Sequence, residues 1–461
     1  MTRFCTLVLP MFLLLAPSAV AKPAPAVWDY RVDPSPDMAV LRVDAQLEAA
    51  PGSSLVSALP EYLEDLQLET NGTWRALDDW ELPQSQGRKR WHLRYSYRLR
   101  DAARSENDPQ EAGLYGGVIV SPCSSWLLRP EVFSKGDYRL KVVCPAEISF
   151  ECGVNKVGGE YRAPTQTLEQ TPASVLGPIS VAQLGQVAFA RVKGAVQLND
   201  AQLLDLVKQR LSGVSNYFGR FPVRRALLII LPTSSGYLRG IAIGSGGASV
   251  VLLLPTLMSS QELLHNWELT HELIHLAFPS LPSDFHWAEE GLATYLEPVI
   301  RARSGELRPA EVWSEFMDGA RQSEPERSSD LGLDGNGSWA QTYWGGAMFW
   351  LLADVQIRKA TAGRSSLQTA LRAVLAQGGN LTQEWPFAKV IRLGDRATKT
   401  SVLARLHAQM GPKPERPSLK ACFAQLGIES AADTVRFEKA PLDWIRESIT
   451  RAEPLRRRAV R

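Results

Sequence analysis

The stretch HELIHLAFPS, His271 to Ser280, decides how the chain is read. Two histidines stand four apart with a glutamate directly after the first, the short signature of a helical zinc site. Residues four apart on a helix lie one turn up the same face. His271 and His275 can therefore both offer an imidazole nitrogen to one ion, at about 2.0–2.1 Å each. Glu272 is turned roughly 100° from His271, which sets its carboxylate beside that ion, within reach of a water. Two imidazoles do not complete a catalytic zinc site, so a third ligand must come from elsewhere in the chain.

Working outward, Ser259-x-x-Glu262 reads as the cap of the helix that carries HELIH. Downstream, HWAEEGLATYLE (286–297) is a second helical stretch that Asp284 can cap and Pro298 ends or kinks. It carries the candidates for the third ligand. Glu289 and Glu290 are adjacent and point about 100° apart, so at most one faces the ion. His286 lies one turn before Glu290 and is a further neighbour.

These two stretches together resemble the gluzincin metallopeptidases, in which H-E-x-x-H is followed by a helix containing W-x-x-E-G-x-A-x-Y. The resemblance implies a thermolysin-like catalytic domain, zinc as the metal and Glu290 as the third ligand, because the glutamate before the glycine has that role. It also implies that Tyr295 and Glu297 match the following Y-x-E, with Glu297 a carboxylate behind the ligands. A third block, YWGGAMFWLLADVQIRKATAGRSSLQTALR (343–372), resembles the glycyl aminopeptidase family within that group, and APLDWIRESI (440–449) matches a later region of it. That match makes Tyr343 the catalytic tyrosine. The similarity runs from about Asn199 to Ile449, and more loosely over the first half.

The chain departs from the pattern in three places. The family lysine of Y-x-K-G is Gly345. The stretch GIAIGSGGASVVL (240–252) has no acid, where related aminopeptidases carry a glutamate for the substrate's free amine. The family's frequent C-terminal PDZ domain is not expected after Ile449.

The rest of the sequence frames this site. With 51 basic and 49 acidic residues among 461, nothing pulls the chain toward nucleic acid. Its one basic run, Arg456-Arg457-Arg458, reads as a solvated tail. Arg3, the apolar run LVLPMFLLL (7–15) and Ala19-Val20-Ala21 read as an export signal over residues 1–21, so the mature protein is expected to be periplasmic or secreted without stable membrane insertion. Of five cysteines, Cys5 leaves with the signal. Cys144 and Cys152 flank an apparent hairpin and are the expected disulfide, while Cys123 and Cys422 have no obvious partner.

Residues 22–195 alternate β-formers with Pro, Gly and Asn-Asp breaks and read as a β-rich, sandwich-like domain. Residues 196–300 read as the catalytic domain. It opens with a helix capped at Asn199 or Asp200, and two buried strands follow, ALLIILP (226–232) and ASVVLLLP (248–255). The second of these is expected to align an extended peptide. Residues 301–449 read as a helical domain completing the site, and residues 450–461 as a tail. The expected fold class is multidomain α+β.

The expected activity is that of an exported zinc-dependent metallopeptidase acting on peptides or proteins, aminopeptidase-like, with endopeptidase action left open. Zn²⁺ is held by His271, His275 and Glu290. Glu272 is the general base and Tyr343 the oxyanion donor. Two other classes stay open: a peptide-binding protein with the same fold and little turnover, and a zinc hydrolase of a non-peptide amide. Oligomeric state and side-chain specificity are not legible.

Overall fold

Alternating inward and outward side chains in the first half build two sheets with one core between them. A computed structural model describes residues 27–452 apart from 85–86, 88, 193–196, 325–330, 336–337, 414–416 and 432–433. The expected export signal and the arginine run lie outside the described residues. The first sheet has eight strands, in the spatial order 156–157, 160–164, 137–142, 28–34, 41–48, 90–97, 63–70 and 73–76. The second has four, in the order 149–152, 173–177, 118–122 and 113–115. Trp28, Tyr30, Trp91 and Tyr138 of the first meet Ile119 and Leu176 of the second, and Trp126 of the short helix after strand 118–122, in a shared core.

A third sheet carries the site. Its strands are β1 (Ser180–Leu184), β2 (Val187–Arg191), β3 (Ala226–Thr233), β4 (Arg239–Gly244) and β5 (Ala248–Pro255), in the order β1-β2-β3-β5-β4. β2 runs parallel to β3, and β3 parallel to β5. Strands buried on both faces read as continuous apolar runs, which is why ALLIIL and SVVLLL show no alternation. One face of β3 and β5 (Leu227, Ile229, Leu231, Val251, Leu253) packs on Val118, Val120 and Val175 of the second sheet. The other face (Leu228, Ile230, Val250, Leu252) packs on the helices. The described residues thus form a stack of three large sheets with most of the helices beyond the last.

Four sequence expectations need correction. The boundary at 195 divides the third sheet, because β1 and β2 pair into it through β3. ASVVLLLP has no free side for pairing an extended peptide: β5 lies between β3 and β4, and β4 is the edge strand on that side of the sheet. The Ser259–Glu262 capping box is real, but it caps a short helix, α2 (Ser260–His265), that ends before HELIH begins. Lastly, Cys144 and Cys152 do not pair. The strands flanking them, Asp137–Val142 and Ser149–Cys152, belong to different sheets, so no hairpin joins them. Cys152 instead faces Cys123 across the shared core, with 3.5 Å between the sulfurs, and no disulfide joins the four cysteines among the described residues.

After two short helices in the first half, Leu99–Ser105 and Cys123–Trp126, the helices that flank the third sheet begin with α1 (Asp200–Phe218). It opens on a reciprocal capping box between Asn199 and Gln202 and closes at Gly219, whose positive φ of 82° suits a left-handed C-cap. HELIH lies on α3 (Glu268–His275), which packs on α4 (His286–Arg303). α5 (Pro309–Gln322) follows, then a π-helical turn (Gln341–Gly345) that runs into α6 (Gly346–Ala360). α4 and α6 touch through glycine. A Cβ on Gly291 would stand 2.3 Å from the Gly346 backbone, and one on Gly346 would stand 2.2 Å from the Trp287 carbonyl oxygen. Five further helices, from Leu367–Ala376 to Asp443–Thr450, and a small hairpin (428–437) complete the C-terminal region. No helix among the described residues is long and apolar enough to cross a membrane.

Candidate metal centre

The apolar face of α3 fixes the two histidines. Leu269, Leu273 and Ile274 are buried in the helical core, which turns His271 and His275 together toward α4. The two rings meet edge-on with centroids 5.0 Å apart. From α4, the Glu290 Oε2 atom lies 3.1 Å from His271 Nε2 and 3.6 Å from His275 Nε2. One ligand atom from each of the three residues falls within 4.8 Å of the other two, and among the described residues no other such group occurs. Ligands about 2.0–2.1 Å from a tetrahedral ion stand roughly 3.3 Å from one another. The spacing and the donor set, two imidazoles and a carboxylate, both fit zinc.

Glu289 is engaged elsewhere: it accepts the backbone N–H of Leu281 at 2.6 Å. His286 reaches the other oxygen of Glu290 at 3.7 Å, but its side chain is 59% exposed and stands at the rim. Glu297 does not back the histidines. It accepts from Arg301 at 2.8 Å in a buried ion pair, so the carboxylate implied behind the ligands belongs to the arginine instead. Tyr295 donates to Asp354 at 2.9 Å and is wholly interior. Among the described residues, the buried Nδ1 of His271 has no partner.

The remaining groups surround this centre. Burial pushes the Glu272 carboxyl up to about 7, although His275 beside it pulls the other way. Burial works against a charge on His275, but Glu290 and Glu272 push it up to about 9. Burial also disfavours the Glu290 carboxylate, yet the two histidines hold it far below the usual range. Burial and the nearby Glu290 raise Tyr343 well above the usual phenol, so its hydroxyl keeps its proton. The Tyr343 ring stacks on His271 with centroids 6.2 Å apart. Tyr343 sits mid-way along the π-helical turn, a distortion that often marks functional positions.

The edge strand β4 passes very near Glu272. A Cβ on Gly240 would stand 2.5 Å from Glu272 Oε1, so only glycine lets the backbone come this close. Gly345, where the resemblance has lysine, is buried, and a Cβ there would meet Gln341 at 2.7 Å and Leu333 at 2.9 Å. The packing leaves no room for a longer side chain.

Two groups escaped the sequence reading. Trp267 stands one turn before His271 and meets its ring at 5.2 Å. Glu315 lines a cavity that also touches His271 and Tyr343. Trp267 shares the i, i+4 face of His271 and could have been found by that spacing. Glu315 belongs to no motif, and only the inward face it shares with Gly319 and Gln322 on α5 marks it.

No protein-family model matches this chain, and no curated protein matches it. Among solved structures it is similar to an aminopeptidase N family protein from Idiomarina loihiensis, with 14% identity, a TM-score of 0.65, and coverage of 87% of this chain and 78% of that one. It is also similar to a variant of a two-domain M1 zinc metallopeptidase bound to L-arginine, with 17% identity, a TM-score of 0.50, and coverage of 85% and 94%. At these identities the likeness is one of fold: a multidomain α+β chain with N-terminal sheets and a helical C-terminal region, built like the M1 zinc metallopeptidases.

Proposed function

We propose that the protein is a zinc metallopeptidase that hydrolyses peptide bonds, aminopeptidase-like in build. The observation that carries this reading is the convergence of His271, His275 and Glu290 with Glu272 and Tyr343 around one point. His271, His275 and Glu290 would hold the metal. Zinc bound there would supply Lewis acidity, polarising a carbonyl and making water a stronger acid near neutral pH.

The chain's own residues do the rest. Glu272, directly after His271 on α3, takes a proton from the attacking water and passes it to the leaving amine. Tyr343, held protonated, donates a hydrogen bond to the oxygen that gains charge when the carbonyl becomes tetrahedral. The unpaired edge of β4, next to Glu272, can add an extended peptide as a further strand and hold its scissile bond against the base. Glycyl aminopeptidase-type specificity, implied by the 343–372 block, is the finer form of this proposal. The leader-like first residues support action outside the cytoplasm.

A binding protein of the same fold with little turnover is the competing reading, and the packed Gly345 and acid-free β4 speak for it. Replacing Glu272 by Gln separates the two. The amide cannot accept the water's proton, so Glu272→Gln should keep metal and fold and lose nearly all hydrolysis of a mixed-peptide digest. Equal inactivity of wild type and variant on every peptide would favour the binding protein.

A further inference from the structure

A cavity of about 300 Å³ opens beside the metal centre, lined by Trp267, His271, Glu315, Trp339, Tyr343 and Trp344 among others. Its walls are built by local sequence. On α5, Glu315 and Gly319 lie one turn apart on one face. A Cβ at Gly319 would stand 2.0 Å from the Trp344 ring, so the missing side chain is what lets that indole form the wall. Trp339 stacks on Tyr343 at 5.0 Å, and Tyr343 stacks on His271. An aromatic stack therefore runs from the mouth of the cavity to a metal ligand. Trp339 and Trp267 are 62% and 45% exposed, unusual for indoles, and stand at that mouth.

The charges are one-sided. Two acids, Glu297 and Glu315, line the cavity, and no lysine or arginine does. Glu297 is neutralised by Arg301. Glu315 accepts no hydrogen bond and joins no ion pair among the described residues; burial raises its carboxyl to about 6, although Arg301 pulls the other way. A carboxylate that lines a cavity with no direct partner gains from a ligand cation that supplies one. Indole faces attract the same ligand through their quadrupoles.

We propose that this cavity is a specificity pocket for the basic side chain, lysine or arginine, of a substrate residue next to the scissile bond, with Glu315 as the selecting group. This rests on the peptidase reading for its location in the reaction, but the cation-binding chemistry does not.

Two experiments test it. First, kcat/KM is compared for peptides carrying lysine or its neutral isostere norleucine at each position flanking the scissile bond. At one position lysine should win at least tenfold. Glu315→Gln should bring the lysine rate down to that of norleucine in the same variant, and Glu315→Lys should shift the preference toward glutamate. Equal rates for lysine and norleucine, or a preference for phenylalanine that Glu315→Gln leaves intact, would overturn the proposal. Second, the Glu272→Gln protein is titrated with n-butylguanidinium and with 1-pentanol while its tryptophan fluorescence is followed. The cation should give a saturable change that Glu315→Gln or Trp339→Ala abolishes, and the alcohol should give none. Binding of the cation without hydrolysis of any peptide would keep the pocket and sink the peptidase. Hydrolysis without preference and without cation binding would do the reverse.

Discussion

Two neighbouring glutamates on α4 meet different fates because one helical step turns a side chain by roughly 100°. Glu290 faces the imidazoles, and Glu289 faces the backbone of the loop before its own helix. Each can be removed alone. Glu290→Ala should bring metal content close to zero while leaving the fold intact. Glu289→Ala should keep the metal and lose about 1–2 kcal/mol of stability in urea denaturation, since the Leu281 N–H loses its acceptor. Tyr343→Phe should keep metal and lose roughly 10²–10³-fold in kcat, the usual cost of one oxyanion donor. An unchanged kcat would remove Tyr343 from the site.

At the scale of elements, close backbone approach does the positioning. α4 and α6 meet at Gly291 and Gly346, and this contact sets the π-helical turn bearing Tyr343 beside the helix bearing Glu290. Gly291→Ala should therefore destabilise the protein by about 1–3 kcal/mol, the usual cost of overpacking, measured by urea denaturation. The edge strand β4 makes a second prediction. It presents Gly240 to Glu272, while Arg239, on the opposite face, is held by Asp108 at 3.0 Å. With no acid on that strand to pair a substrate ammonium, free-amine and N-acetylated forms of one peptide should give comparable kcat/KM. A loss beyond ~10³-fold on acetylation, about 4 kcal/mol, would reveal an amine anchor elsewhere. Much of this level was legible in the sequence. The i, i+4 spacing of His271 and His275 and the apolar runs of β3 and β5 are local patterns. The break between α2 and α3 was not legible, because a capping box marks where a helix starts and says nothing of how soon it stops.

Across the whole molecule, the site depends on the stack of sheets behind it. Leu227, Ile229, Leu231, Val251 and Leu253 of the third sheet are covered by strands of the N-terminal half. Ser249 accepts the Ala173 N–H at 2.9 Å, and Arg225 pairs with Glu151 across the same boundary. A fragment starting at residue 180 would expose that whole apolar face, and it should be aggregated or degraded in size-exclusion and limited-proteolysis experiments. This level was the least legible. Strand pairing across sheets is set by residues far apart in sequence, which is why the partners of β1 and β2, and of Cys152, differ from the sequence reading. Glu315 and its cavity share this cause: they arise where α5 meets the turn before α6.

The central claim is that His271, His275 and Glu290 form a zinc centre, and elemental analysis of the purified protein tests it most directly. The account predicts about one zinc per chain, lost on Glu290→Ala and retained in Glu289→Ala and Glu272→Gln. A chain without zinc even when supplied with the metal, or one that keeps its zinc in Glu290→Ala, would contradict it.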